Sequence, residues 1–246
     1  MKTVYFISDA HLGFDDPETE SIKRVSLIDF LEHVGRDGGI LFILGDLFNF
    51  WFEYKSVIPR RYTWVLTALQ RLKARNVEIH YLTGNHDFWL DSFFQEELGV
   101  QVHRDPVDMS LGGKRFWIAH GDGIMKKDVR YRLMKRILRH PVSITLYRLL
   151  HPELAFGLAH FCTKLSRNHH AFPDNEEDYI ARAEALFSEG YDCVVMAHTH
   201  QPRILGKRGR TYVNTGDWMR HFTFSKLEKG RLTLERWPVK NRFLKR

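Results

Sequence analysis

The chain has 246 residues, long enough for one substantial domain, and 43% of them are apolar and 13% aromatic, a composition that supports a real core. The first eight residues hold one Lys and too short an apolar run for a signal peptide. Nowhere do about 18 uncharged apolar residues follow one another, so a membrane-spanning helix is excluded and a cytosolic protein is expected. Two distant cysteines, Cys162 and Cys193, fit neither a zinc knuckle nor a disulfide framework and are expected to be reduced, packed thiols.

The formal charge of +7 is uneven. Residues 124–170 contain ten basic side chains against two acidic ones, a surplus of +8 that leaves the rest of the chain near neutral. An acidic partner such as a phospholipid headgroup, a polyphosphate substrate or a nucleic acid would meet this segment first; a solvated helix face is the plainer alternative.

In chain order, β-rich runs at 3–8, 40–44, 78–83, 116–119 and 193–197 alternate with helical periodicity. Leu27, Leu31 and Val34 fall on one face, as do Val65, Leu69 and Leu72, and then Tyr179, Ala183, Leu186 and Phe187. Asp174 and Glu177 have capping-box spacing before the last of these helices, and Gly190 supplies a stop after it. The alternation predicts an α/β domain. Three further strands are expected within 211–237, with turns at 216–219 and 228–230, pairing antiparallel onto the main sheets. The basic segment breaks the rhythm, because His140-Pro141 and His151-Pro152 divide it into three short helices. Rich in Leu and Ile and inserted between core strands, it reads as a helical cap within a single domain spanning 1–246.

Five of the strand runs end in residues that can ligate metal: Asp9-Ala10-His11, Gly45-Asp46, Gly84-Asn85-His86-Asp87, His120-Gly121-Asp122 and His198-Thr199-His200. Open α/β sheets carry their functional groups at the carboxyl ends of strands, so five sequence-distant clusters can converge in one crevice. Each cluster alone is weak, since a Gly-Asp is commonly a turn and a strand-end His commonly packs. The ordered set is specific. Carboxylate, imidazole and amide donors without thiolate suit Mn²⁺, Fe²⁺ or Zn²⁺, and Asp46 is the best candidate to bridge two ions that together clamp a phosphate. The aromatic run Phe48, Phe50, Trp51, Phe52 and Tyr54 beside Asp46 could line a lipid or base pocket, but is read chiefly as core and cap-base packing. Residues 213–218 are expected to form a turn that buttresses the histidines after 193–197.

The ordered motifs DxH, GD, GNHD, HGD and HTH resemble the calcineurin-like metallophosphoesterase superfamily over nearly the whole chain. That resemblance implies a two-sheet β-sandwich flanked by helices. It further implies Asp9, His11, Asp46 and His200 on one divalent metal ion and Asp46, Asn85, His120 and His198 on a second, with Mn²⁺ the first choice. His86 then becomes the catalytic histidine, with Asp87 holding its ring.

Within the superfamily, the motifs and the basic, apolar cap resemble the UDP-2,3-diacylglucosamine diphosphatase family of lipid A synthesis. This implies a nucleotide-activated acylated sugar as substrate, contacts from Asn85, His86, Asp128, Tyr131, Arg167 and His198, and a peripheral position on the cytoplasmic face of the inner membrane. The best-known diphosphatases of that family carry Arg where this chain has His86, which keeps a broader phosphodiesterase or phosphomonoesterase open. A non-catalytic module that binds membrane or nucleic acid through the basic segment alone is the remaining reading, with nucleic acid the least favoured partner.

Overall fold

A computed structural model describes residues 2–124, 129–169 and 176–239, excepting the side chains of residues 129–130 and 164–169. Its strands are β1 (Val4–Ile7), β2 (Ile40–Ile43), β3 (Glu78–Leu82), β4 (Gln101–His103), β5 (Val107–Leu111), β6 (Lys114–Ile118), β7 (Cys193–Met196), β8 (Arg203–Lys207), β9 (Arg210–Asn214), β10 (Thr223–Glu228) and β11 (Arg231–Arg236). They form a six-stranded sheet in the order β11-β10-β1-β2-β3-β4 and a five-stranded sheet in the order β5-β6-β7-β9-β8. The helices are α1 (Pro17–Asp37), α2 (Thr63–Ala74), α3 (Ser92–Glu96), α4 (Val129–Leu138), α5 (Pro141–Arg148), α6 (Pro152–His169) and α7 (Glu176–Ser188).

Strand periodicity explains the layers. Along β1, Val4 and Phe6 face the second sheet and pack with Phe42 and Leu44 of their own sheet and Phe116, Ile118 and Val195 of the other, while Tyr5 and Ile7 face Phe30, Leu31 and Leu69 of the outer helices. On the far side, α7 covers β7 and β9 through Tyr179, Ala183 and Leu186 against Val194, Met196 and Tyr212. The result is helix, sheet, sheet, helix. Strands β1, β2 and β3 run parallel in one sheet and β6 and β7 in the other, so the ends carrying the motifs lie at matching ends of each ladder.

Several expectations are refined. Helix α1 begins well before Leu27, because Asp16 accepts from Glu18 N and Thr19 N and Pro17 occupies the first turn, where its missing N–H costs nothing. The proposed cap at Asp174 lies outside the described residues. Strand β9 pairs parallel with β7, not antiparallel as the periodicity suggested, because β8 precedes it and turns back through Arg208 and Gly209, both at positive φ. Strands β10 and β11 are antiparallel as expected. Cys193 is buried, but Cys162 is exposed on α6 and is not a packed thiol.

The basic segment folds into α4, α5 and α6, broken where Pro141 and Pro152 start new helices. It docks through specific contacts: Trp89 Nε1 donates to Leu138 O, Tyr54 Oη to Leu150 O, and Arg139 Nη2 to Gly84 O. Phe48, Trp51 and Phe52 are buried, and Phe52 packs against Tyr147 of α5, in keeping with the packing role expected for this aromatic run.

Lys23 on α1 is a cation that is only 1% exposed. Its ammonium donates to Ala10 O, His11 O and the Asp15 carboxylate and lies 2.5 Å from Glu20 Oε1. It thus ties the helix to the loop after β1. Removing the cation strands two buried carbonyls and two partly buried carboxylates, so Lys23→Met is expected to lower unfolding free energy by about 3 kcal/mol in a denaturant titration.

Candidate metal centre

The strand ends do not simply stop; they turn through a sparsely populated conformation. Asp9, His11, Asp46, His198 and His200 all have φ between 41° and 73°, the left-handed region. Such residues cost roughly 1–3 kcal/mol each and persist only when surrounding contacts hold them. The contacts are present. Asp9 N donates to Gly45 O and His11 N to Asp46 O, prolonging the β1–β2 ladder past its last pair. Across the sheets, His198 N donates to Asp9 Oδ2, and His120 Nδ1 donates to Leu44 O at 2.7 Å. The end of β9 and the residues after it brace the same end, since Asn214 Nδ2 donates to Ala197 O and Thr199 Oγ1, Ser8 and Thr215 hydroxyls pair at 2.7 Å, and Trp218 N donates to Asp9 O.

These turns bring the sequence-predicted residues together. Asp9, His11 and His200 have ligating atoms within 4.8 Å of one another, as do Asp46, His120 and His198. His200 Nε2 lies 3.3 Å from Asp9 Oδ1 and 3.3 Å from His11 Nε2. Asp46 Oδ2 stands between the groups, 3.7 Å from His11 Nε2 and 3.5 Å from His120 Nε2. Asn85 Oδ1 is 3.1 Å from His120 Nε2, and His198 Nδ1 is 3.2 Å from that same nitrogen. His86 joins His11 and Asp46 in a third group of the same span.

The donor set fits cations. Asp9 and Asp46 are at most 1% exposed, and Asp9 Oδ1 accepts no hydrogen bond among the described residues. With Nδ1 of His120 donating to a carbonyl, its Nε2 carries the lone pair when neutral, and it is aimed at an amide oxygen, a carboxylate and a second imidazole nitrogen. Nitrogen pairs at 3.2–3.3 Å repel unless a proton or a cation sits among them. Burial opposes ionisation of Asp46, yet the facing imidazoles of His120, His86 and His11 hold its carboxyl well below the usual range. His120 answers it: burial drags the imidazole down, but the Asp46 carboxylate prevails and pushes it up to about 10.

Close approach of backbones makes this possible. A Cβ on Gly84 would lie 2.1 Å from Asp46 Oδ1, and one on Gly45 would lie 2.7 Å from the Gly84 Cα and 2.8 Å from His120 Nδ1. Only glycine leaves room for Asp46 here.

One expected contact is replaced. Asp87 does not hold the His86 ring; it is fully buried and accepts from Gly84 N, Leu47 N and Tyr81 Oη, at 2.9, 2.9 and 2.5 Å. It organises the loop backbone instead, and burial, aided by the charge of Asp46, pushes its pKa up to about 6. The His86 ring is oriented by Asn49 O, 2.9 Å from Nδ1, and its backbone N–H donates to Asp46 Oδ1. Tyr131, expected at the substrate, donates its hydroxyl to Asp122, which also pairs with Lys135. Asp128 lies outside the described residues, as does the side chain of Arg167.

Sequence reasoning passed over Lys23, Asn49 and Tyr81. Lys23 had a signal, a lone cation on the apolar stripe of Leu27, Phe30 and Val34. Asn49 acts through its carbonyl, which no side-chain pattern reveals.

A model of the calcineurin-like phosphoesterase family matches residues 2–202. Among curated relatives, UDP-2,3-diacylglucosamine hydrolase of Porphyromonas gingivalis is 33% identical, over 94% of this chain and 96% of that protein. The enzymes of the same name from Nitrosococcus oceani and Pseudomonas putida are each 30% identical over 88% of this chain, and over 87% and 91% of their own lengths. The family implies divalent metal ions and phosphoester hydrolysis, and the donor set described above suits both. This chain belongs to the calcineurin-like phosphoesterase family and is a hydrolase.

Proposed function

We propose that the protein hydrolyses the pyrophosphate of UDP-2,3-diacylglucosamine, giving UMP and 2,3-diacylglucosamine 1-phosphate. The observation that carries this reading is the position of the buried donor set beside an aromatic cluster covered by helices that are basic and apolar at once. Phe50 meets Trp89 at 5.6 Å and Phe156 of α6 at 5.2 Å, and Trp89 stacks on Tyr147 of α5 at 4.9 Å. The relatives' shared name supports the same substrate.

In this proposal Asp9, His11, Asp46 and His200 hold one cation and Asp46, Asn85, His120 and His198 the other, with Mn²⁺ preferred over Fe²⁺ or Zn²⁺. When bound, the two ions supply an activated water and neutralise charge growing on the phosphate. The chain's own residues do the rest. His86, its Nδ1 donating to Asn49 O, presents Nε2 to the leaving oxygen as proton donor or charge stabiliser. Asn85 and His198 face the phosphate, and Tyr131, Asp128 and Arg167 contact the sugar and its phosphate.

The same helices suit a peripheral place on the cytoplasmic membrane face. Leu146 is 61% and Leu149 78% exposed, with Leu154 and Phe161 also open, among Arg side chains that favour anionic headgroups. Among the described residues no helix is long and apolar enough to cross a membrane.

The direct test is turnover of UDP-2,3-diacylglucosamine by the Mn²⁺-loaded protein; no cleavage alongside rapid hydrolysis of a generic phosphodiester would favour the broader diesterase that His86 keeps open. His86→Ala is expected to slow turnover by about 10²–10⁴-fold with metal content unchanged. His86→Arg should stay within about tenfold of wild type for a diphosphatase, whereas a histidine-dependent diesterase would lose orders of magnitude. Gly84→Ala is expected to retain the far-UV circular dichroism of the wild type while bound metal, measured by plasma mass spectrometry, drops by at least one equivalent. Replacing Leu146 and Leu149 together by Asp should abolish flotation with phosphatidylglycerol vesicles and leave metal content intact.

A further inference from the structure

One face of α4 lies on ligand loops from both sheets. Tyr131, Lys135 and Arg139 are spaced four apart, and Arg139 N still donates to Lys135 O, so the three side chains leave the same side of the helix. At the start of this row, Tyr131 Oη donates to Asp122 Oδ2 at 2.7 Å, Lys135 Nζ pairs with the same oxygen, and Arg132 Nη1 donates to Gly123 O at 3.2 Å. Asp122 and Gly123 follow His120-Gly121, so this end holds the loop after β6. At the other end, Arg139 Nη2 donates to Gly84 O at 3.2 Å, and its guanidinium carbon lies 5.1 Å from the centre of the Phe88 ring. Beside it, Trp89 Nε1 donates to Leu138 O. That end holds the loop after β3.

The carbonyl that Arg139 grips belongs to the peptide bond joining Gly84 to Asn85. Gly84 N is fixed on Asp87 Oδ1 at 2.9 Å, so the guanidinium supplies the second point that keeps this stretch of backbone from turning. Asn85 hangs from the next Cα, and its Oδ1 lies 3.1 Å from His120 Nε2. Through one row of side chains, α4 therefore joins the two loops whose ligands face each other in the group of Asn85, His120 and His198. The group of Asp9, His11 and His200 is braced from elsewhere, since Lys23 Nζ donates to His11 O and Trp218 N to Asp9 O. Asp46, common to both, has a donor of its own in His86 N.

We propose that α4 is a clasp on the second cation position alone, with Arg139 as its positioning residue: the guanidinium holds the Gly84–Asn85 peptide so that the Asn85 amide oxygen stays beside His120. This rests on the two-cation part of the function proposed above and is independent of the substrate. It makes the cap a determinant of metal affinity as well as a cover over the aromatic cluster. Groups that hold metal ligands in place commonly set affinity by roughly 10–100-fold.

Calorimetric titration of the metal-free full chain with Mn²⁺ tests the clasp without turnover. The wild type is expected to take up two ions. Arg139→Gln should weaken one by at least about tenfold and leave the other within about twofold. At limiting Mn²⁺, anomalous diffraction from that variant should keep the peak beside Asp9, His11 and His200 and lose the one beside Asn85 and His120. Arg139→Lys keeps the charge and a donor and should recover part of the loss, still short of wild type, so it decides the matter if the glutamine variant does not fold. Arg148→Gln loosens α5 from Asp91 and Glu53 O without reaching either loop, and should leave both affinities unchanged. Unchanged affinities in the Arg139 variants, equal loss of both ions, or the same selective loss in Arg148→Gln overturns the clasp while the two-cation reading stands. A wild type that takes up a single ion overturns both.

Discussion

The Asp46 carboxylate is the constraint around which this molecule is arranged. It is 1% exposed, ionised against the cost of burial, and set within 3.7 Å of imidazoles from both sheets. A buried carboxylate survives only with compensating charge and hydrogen bonds. The surroundings read as the means of providing them. The backbone of Asp46 is left-handed, Gly84 leaves the space its oxygen occupies, and His86 N donates to it. The imidazoles that face it are themselves held by main-chain carbonyls, Leu44 O for His120 and Asn49 O for His86. Strain at five residues of three strand ends and the crowding of like groups are two costs that bound divalent cations would offset.

The sandwich explains why this arrangement needs two sheets. Asp9, Asp46 and the Asn85-His86 loop follow β1, β2 and β3 of one ladder, while His120, His198 and His200 follow β6 and β7 of the other. The apolar layer between the sheets, with Phe6 stacked on Phe42 and Phe116, sets their separation and so the distance between the ligand sets. Lys23 then locks the first loop to α1, so that a helix on the outer face steadies a site at the sheet ends.

Much of this was legible in the sequence, for a physical reason. A parallel strand end must place its next residues at the crevice, so Asp9, Asp46, Asn85, His120, His198 and His200 could be grouped without knowing a contact. Pro141 and Pro152 likewise announced the breaks between cap helices. What was not legible depends on backbone groups and on order in space. Nδ1 of His86 meets a carbonyl, not the Asp87 beside it in sequence, and the orientation of β9 depends on an unforeseen β8. The exposed Cys162 shows the converse error, a residue type usually buried that sits on a helix face with nothing to cover it among the described residues.

The central claim is that seven residues from five strand ends share two cations through Asp46. Anomalous diffraction from crystals grown with Mn²⁺ tests it most directly. The account predicts two peaks, one bounded by Asp9, His11 and His200 and the other by Asn85, His120 and His198, both in contact with Asp46. A single peak, or two peaks of which only one touches Asp46, would contradict it.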